Sequence, residues 1–217
     1  MATPTTEQRN PRTLAIDEVA TIEILRMVNE EDARVAGAVG AELPRLSKLV
    51  DAAVDAMRAG GRVHYFGAGT SGRLAVLDAA ELLPTFHAPD DLVVAHHAGG
   101  MAALLRAVEN VEDSEEGGSA DASTVTGLDV VIGLAASGST PYVAGALRAA
   151  RAAGAITALV TSNPAAPLAG LADILIAADT GAEVIAGSTR LKAGTAQKMI
   201  LNAFSTTLMI KLGRTWS

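Results

Sequence analysis

Holding a phosphate takes several backbone N–H donors at close range with hydroxyls beside them, and residues 67–72, Gly67-Ala68-Gly69-Thr70-Ser71-Gly72, offer both. They follow an apolar run rich in β-formers, Val63 to Phe66, and lead straight into a helical pattern, Leu74 to Leu82. Unpaired N–H groups and the positive end of the helix dipole meet at such a junction, which suits an anion. A second junction repeats the design: Ala135-Ala136-Ser137-Gly138-Ser139-Thr140-Pro141 closes another apolar run, with Pro141 set for a helix start. One Gly/Ser/Thr loop usually makes only a turn or a cap. Two such loops, each closing a strand, point to an anion site.

Residues 187–198, Gly187 to Lys198, form a third small-residue cluster at the head of the last helical pattern. Ser188 or Thr189 is placed to cap that helix. Arg190 and Lys192 fall in its first turn, where the dipole disfavours cations, so an anion or a carboxylate must offset the cost or the charges are solvated. For acid–base work the candidates are Glu81, at the end of the helix after the first loop, and Glu109 and Glu112, before a polar stretch. Taken singly, each is more often a solvated surface carboxylate. The histidines offer less. Adjacent strand residues His96 and His97 point to opposite faces and do not share a metal easily, and His64 within a strand reads as core or sheet surface.

Residues 67–72 also fit the G-x-G-x-x-G spacing of dinucleotide-binding turns. That reading wants an acidic residue closing the next strand, where this chain has His96-His97-Ala98-Gly99. A terminal phosphate, as on a phosphosugar, suits the Thr70-Ser71 pair better.

The elements that must position these groups follow from periodicity. Three helical patterns, at 16–28, 29–43 and 44–59, stop at Gly60-Gly61. Strands are expected at 62–66, 92–96, 129–134, 156–161 and 174–178, with helices at 73–82, 101–111, 141–153 and 164–171, and a long one at 191–212 ending on Gly213. Residues 113–126 read as one long polar loop. Near-continuous apolar strands alternating with helices predict a doubly wound, three-layer α/β fold around a parallel five-stranded sheet, with ligands beyond the strands' carboxyl ends. Residues 1–60 read as a tail and helical extension, and 61–217 as the binding domain.

Composition narrows the class. At 49% hydrophobic and 19% charged the chain is globular, and with 3% aromatics its core is aliphatic. A formal charge of −7 argues against a nucleic-acid surface and leaves any anion to be held by local dipoles. With no cysteine, no signal-peptide pattern and no apolar stretch long enough to span a bilayer, the expectation is a cytoplasmic protein without disulfides or a membrane anchor.

Taken in order, several blocks resemble the N-acetylmuramic acid 6-phosphate etherases, phosphosugar lyases of the sugar isomerase (SIS) fold. They are Thr6 to Asn10, Gly67 to Leu74 with Leu77 to Glu81 and Pro84 to Phe86, Ala98 to Gly100, Val111 to Asp113, Ala136 to Gly138 with Thr140 to Val143, and Gly187 to Lys198. The resemblance implies a cofactor-free and metal-free elimination on a phosphorylated amino sugar, with Glu81 as acid and Glu112 as C2 base. It implies phosphate contacts at Thr70, Ser71, Ser137, Ser139 and Ser188, with the Gly69, Gly138 and Thr140 backbone alongside. Lys192 would stand near the sugar or its enolate. It also implies a homodimer with residues of both subunits around the site. The chain departs from the family pattern at Ser139, where Arg is usual, at Ala80 for Ser, and at Leu82-Leu83 for Cys-Pro. The family continues into a further C-terminal helical region, while this sequence stops at Ser217 and is expected to be a short form. A phosphosugar-binding regulator, like the mammalian glucokinase regulatory protein that resembles the same family, or an enzyme acting on another phosphosugar, remains open at this stage.

Overall fold

The structure is a computed structural model that describes residues 4–106, 108 and 110–215. Glu109, one of the three candidate acids, lies outside the described residues. Five strands, β1 (Val63–Gly67), β2 (Val93–His97), β3 (Val130–Leu134), β4 (Ile156–Thr161) and β5 (Ile174–Ala177), form one parallel sheet in the order β2-β1-β3-β4-β5. Register runs Val63↔Val93 on one side of β1 and Val63↔Val130 on the other. Chain direction along the sheet reverses between β1 and β3, and the crevice beyond their carboxyl ends is where open α/β sheets take ligands.

Helices cover both faces, so the apolar strands are buried on both sides. Val63 and Tyr65 of β1, Ile132 and Leu134 of β3, and Val160 of β4 pack on one face with α3 (Leu43–Arg58) and α9 (Lys192–Lys211). The short α2 (Val35–Ala41) joins that layer, preceded in the chain by α1 (Thr21–Asp32). Phe66, Val131 and Leu159 point the other way, onto Tyr142, Val143 and Leu147 of α8 (Pro141–Ala152). Within the first layer Asp78 of α4 (Gly69–Ala80) is buried and accepts from Tyr65 Oη and Ser205 Oγ, both at 3.0 Å, tying α4 to β1 and α9. Burial pushes the Asp78 carboxyl up, against the pull of those two hydroxyls.

Each predicted strand exists within about a residue of its expected position. Differences fall at helix starts and in the polar stretch. Helix α4 begins at Gly69 rather than Arg73, so Thr70 and Ser71 belong to its first turn. The first helical pattern begins at Thr21 rather than Ile16. Residues 82–86 form a short α5 (Leu82–Phe86), the helix at 101–111 shrinks to α6 (Gly100–Leu105), and residues 167–171 form a 3-10 turn. The stretch 113–126 holds a helix, α7 (Glu115–Asp121), whose Ser114 Oγ accepts from Gly117 N at 2.9 Å. It packs backbone to backbone against α8: a Cβ on Gly118 would sit 1.8 Å from Tyr142 O, and one on Gly145 would sit 1.9 Å from Glu115 O. Glycine supplies contact by having no side chain, a signal that apolar periodicity does not carry.

Candidate functional site

The two anion loops meet over one cavity of about 290 Å³ at the β1/β3 switch point. Gly69, Thr70 and Ser71 line it from the head of α4, and Ser137, Ser139 and Thr140 from the head of α8. No side chain caps either helix, but at α8 Pro141 has no N–H and Tyr142 N is taken by Glu112 O, so the head of α4 is the freer of the two. Glycines make the approach possible. A Cβ on Gly67 would lie 2.7 Å from Gly72 N, and one on Gly72 would lie 2.5 Å from Gly67 O, so strand and helix touch only because both positions lack a side chain. Gly138 does not line the cavity; it turns the second loop at φ +70°, where a Cβ would strike Ala166.

Groups behind the loops fix them. Thr161 Oγ1 donates to Ala136 O at 3.0 Å and Asn163 Nδ2 to Ser137 O at 2.9 Å, both from the end of β4. Ser137 and Ser139 hydroxyls lie 2.8 Å apart. Ser71 Oγ is 2.8 Å from Gln197 Oε1 of α9, and Gln197 Nε2 is buried with no partner among the described residues. Under the first loop His97 has Nε2 3.3 Å from Gly69 O and Nδ1 2.8 Å from Ala98 O. His96 faces away, stacked on Phe66 at 4.2 Å with Nε2 3.1 Å from His64 Nδ1. Burial, then the neighbouring His64, lowers His96 to about 4.

Glu112 also lines the cavity, followed by Asp113. Its carbonyl accepts from Tyr142 N at 3.0 Å, which clamps the 110–113 turn to the head of α8. Thus the sequence-predicted Glu112 stands beside Gly69, Thr70, Ser71, Ser137, Ser139 and Thr140.

Glu81 does not join them within the protomer. It follows the last residue of α4, twelve residues along from Gly69, about 18 Å at 1.5 Å per residue. There it is exposed and lines a separate hollow with Lys198, Asn202, Leu77 and Thr85. Leu77 and Leu83 beside it are 52% and 49% exposed.

The third cluster requires a correction. Lys192, expected beside the sugar, is fully buried and lies outside the cavity, with Nζ 2.5 Å from Glu31 Oε2. Glu31 is also paired with Arg12, and this guanidinium holds its carboxyl down at about 2, burial opposing and Lys192 assisting. Nor does Ser188 or Thr189 cap α9. The buried Glu183 carboxylate does so, accepting from Lys192 N at 3.0 Å and Ala193 N at 2.9 Å. Burial raises the Glu183 carboxyl, the two N–H groups partly reversing the effect. The protein's own carboxylates thus offset the charge that the sequence left open. Arg190 precedes the helix and is exposed, and Thr189 rather than Ser188 lines the cavity.

Sequence reasoning missed Glu7, which lines the same cavity. Its only signal was membership of the block Thr6 to Asn10, since nothing local tells where a polar tail will lie.

Similarity to known proteins agrees with this architecture. Residues 45–151 match the family model of the glucokinase regulatory protein N-terminal SIS domain. In solved structures the fold recurs in a phosphoheptose isomerase from Francisella tularensis (TM-score 0.69, 18% identity, 88% of this chain and 98% of that one). It recurs also in the Vibrio vulnificus NanR protein complexed with ManNAc-6P (TM-score 0.62, 15% identity, 92% and 67%). Among curated relatives, the N-acetylmuramic acid 6-phosphate etherase of Thermobifida fusca (strain YX) is 61% identical over 212 residues, 98% of this chain and 70% of the relative. That of Symbiobacterium thermophilum is 54% identical over 213 residues, 98% and 71%. With that identity along nearly its whole length, the chain belongs to the N-acetylmuramic acid 6-phosphate etherase family.

Proposed function

We propose that this protein is a lyase that cleaves the D-lactyl ether of N-acetylmuramic acid 6-phosphate, giving N-acetylglucosamine 6-phosphate and D-lactate. The observation that carries the reading is the one cavity that the heads of two helices without side-chain caps share with Glu112. Helix dipoles, backbone N–H groups at Gly69, Thr70 and Ser71, and the Thr70, Ser137 and Ser139 hydroxyls take the phosphate, needing no surface excess of positive charge.

In the ring-opened sugar the C1 aldehyde acidifies C2–H. Glu112 removes that proton, the electron pair is held as the enolate, and its collapse expels the C3 oxygen. An acid protonates the departing oxygen to give lactate. Water then adds at C3 of the unsaturated aldehyde and C2 is reprotonated, so the sum is one ether plus one water. The aldehyde is the electron sink, and no cofactor enters this scheme. General acid–base groups of this kind are worth about 10²–10⁴-fold each.

Glu81 is the acid of this scheme, and it serves the cavity of a partner subunit. Its position about 18 Å along α4 from its own phosphate loop, among the exposed Leu77 and Leu83, suits a homodimer face rather than a solvated helix end. In this reading residues 61–217 are the phosphosugar-binding unit, residues 1–60 its extension, and the site of action is the cytoplasm. No helix of the described residues is long and apolar enough to cross a membrane.

The test incubates the protein with N-acetylmuramic acid 6-phosphate in deuterated water. Lactate should appear and the sugar product should carry deuterium at C2. Glu81→Gln should stop lactate release while leaving C2 exchange, and Glu112→Gln should suppress both. Mixing the two inactive variants should restore part of the activity, because a mixed dimer rebuilds one complete site; no restoration on proven subunit exchange defeats the shared site. A wild-type protein that binds the sugar yet yields neither lactate nor exchange defeats the lyase reading.

A further inference from the structure

A glutamate in a polar tail is ordinarily a solvated charge, but the tail that carries Glu7 is fixed. Thr6 is fully buried and its carbonyl accepts from Gly187 N at 3.0 Å. Asn10 Nδ2 donates to Ala182 O at 3.1 Å and Thr13 Oγ1 to Val184 O at 2.9 Å, so residues 6–13 are held along 182–187. Glu7 sits on that track at the edge of the cavity, its carboxylate against Gly187. A Cβ built on Gly187 would lie 2.8 Å from Glu7 Oε2, and the φ of +76° there already favours glycine. Among the described residues the Glu7 carboxylate has no cation partner, and it accepts one hydrogen bond, from Thr6 Oγ1 at a long 3.5 Å. Nor, among the described residues, does any Lys, Arg or His line the cavity.

An unpaired carboxylate only accepts hydrogen bonds and repels like charge. On an anionic sugar the groups it attracts are the hydroxyls and the acetamide N–H, and the group it repels is the phosphate. We propose that Glu7 is a specificity-determining residue that takes the hydrogen-bond-donor end of the phosphosugar and drives the phosphate to the two helix heads. This rests on the phosphosugar reading of the cavity, not on the ether cleavage. It gives the N-terminal segment a function: Thr6, Asn10 and Thr13 hold a charge at a fixed place in the cavity that the two loops line.

The proposal makes two affinities move in opposite directions. Calorimetry on the 217-residue protein would measure inorganic phosphate and N-acetylglucosamine 6-phosphate against wild type, Glu7→Gln and Glu7→Ala. In Glu7→Ala the phosphosugar should bind about tenfold more weakly, the loss expected for a charge-assisted hydrogen bond. In both variants inorganic phosphate should bind roughly two- to threefold more tightly, since a like charge has gone. Glu7→Gln, which keeps an acceptor, should lie between wild type and Glu7→Ala for the sugar. Unchanged affinities would make Glu7 a solvated charge and overturn the proposal. A parallel loss of both affinities would also overturn it, because a residue that merely anchors the segment weakens every ligand alike. Failure of wild type to bind either ligand would remove the phosphosugar reading itself, whereas tight binding without lactate release would remove only the lyase chemistry and leave this test readable.

Discussion

The helix heads at α4 and α8 and the head of α9 look alike in sequence, each set among glycine, serine and threonine, yet they end in different states. At α4 and α8 no side chain caps the helix and both border the cavity, α4 as the more open of the two because Tyr142 N of α8 is taken by Glu112 O. At α9 the Glu183 carboxylate takes two N–H groups and Glu31 takes the Lys192 ammonium, so the end is closed by charges from 9 and 161 positions away. A helix end that the protein satisfies internally is scaffold. An end left unsatisfied beside a cavity is available to a ligand.

The largest effect that would sharpen this contrast is on the closed end. Glu31→Gln leaves Lys192 buried without its carboxylate and should cost about 3–5 kcal/mol in urea unfolding. Loss of Thr70, an open-end residue with no scaffold bond to lose, should show the reverse pattern: Thr70→Ala weakens phosphosugar binding by about 1.5–3 kcal/mol while stability changes little. Removing one of the two acceptors at the closed end, Glu183→Gln, should cost about 0.5–2 kcal/mol of stability. If Thr70→Ala and Glu183→Gln changed ligand affinity and stability alike, the division into open and closed heads would fail.

Acid gives the most gradual test. Arg12 and Lys192 hold Glu31 at about 2 in the folded protein, below its ordinary 4.5. Its contribution to stability is fully present above pH 4.5 and drains away as pH falls toward 2, because the unfolded chain takes up the proton first. Denaturation midpoints followed from pH 6 to pH 2 should fall in wild type and fall less steeply in Glu31→Gln.

Much of the fold was legible in advance. Val63 to Phe66, Val130 to Leu134 and Ile156 to Thr161 read as strands because a parallel strand covered on both faces needs an unbroken apolar run. The two Gly/Ser/Thr loops were legible too, since each closes a parallel strand of one sheet, and both line the same cavity. Residues 113–126 misled, because α7 contacts α8 through Gly118 and Gly145 and so lacks the apolar stripe by which a helix is recognised. Lys192 misled for another reason: its partner, Glu31, stands 161 positions away on a different helix. Glu7 went unassigned for the same cause, the hydrogen bonds that carry it to the cavity being made to residues 182–187.

Periodicity and backbone chemistry are local properties, so the chain's own order of residues settled the strands, the order of layers and the two heads that could take an anion. Which carboxylate meets which cation or helix end depends on pairs far apart in sequence. Only the folded arrangement closed α9 with Glu183 and Glu31, set Glu112 and Glu7 around one cavity, and sent Glu81 to a different surface. Coulomb forces and hydrogen bonds act across a few ångströms of space, regardless of how many residues lie between the partners.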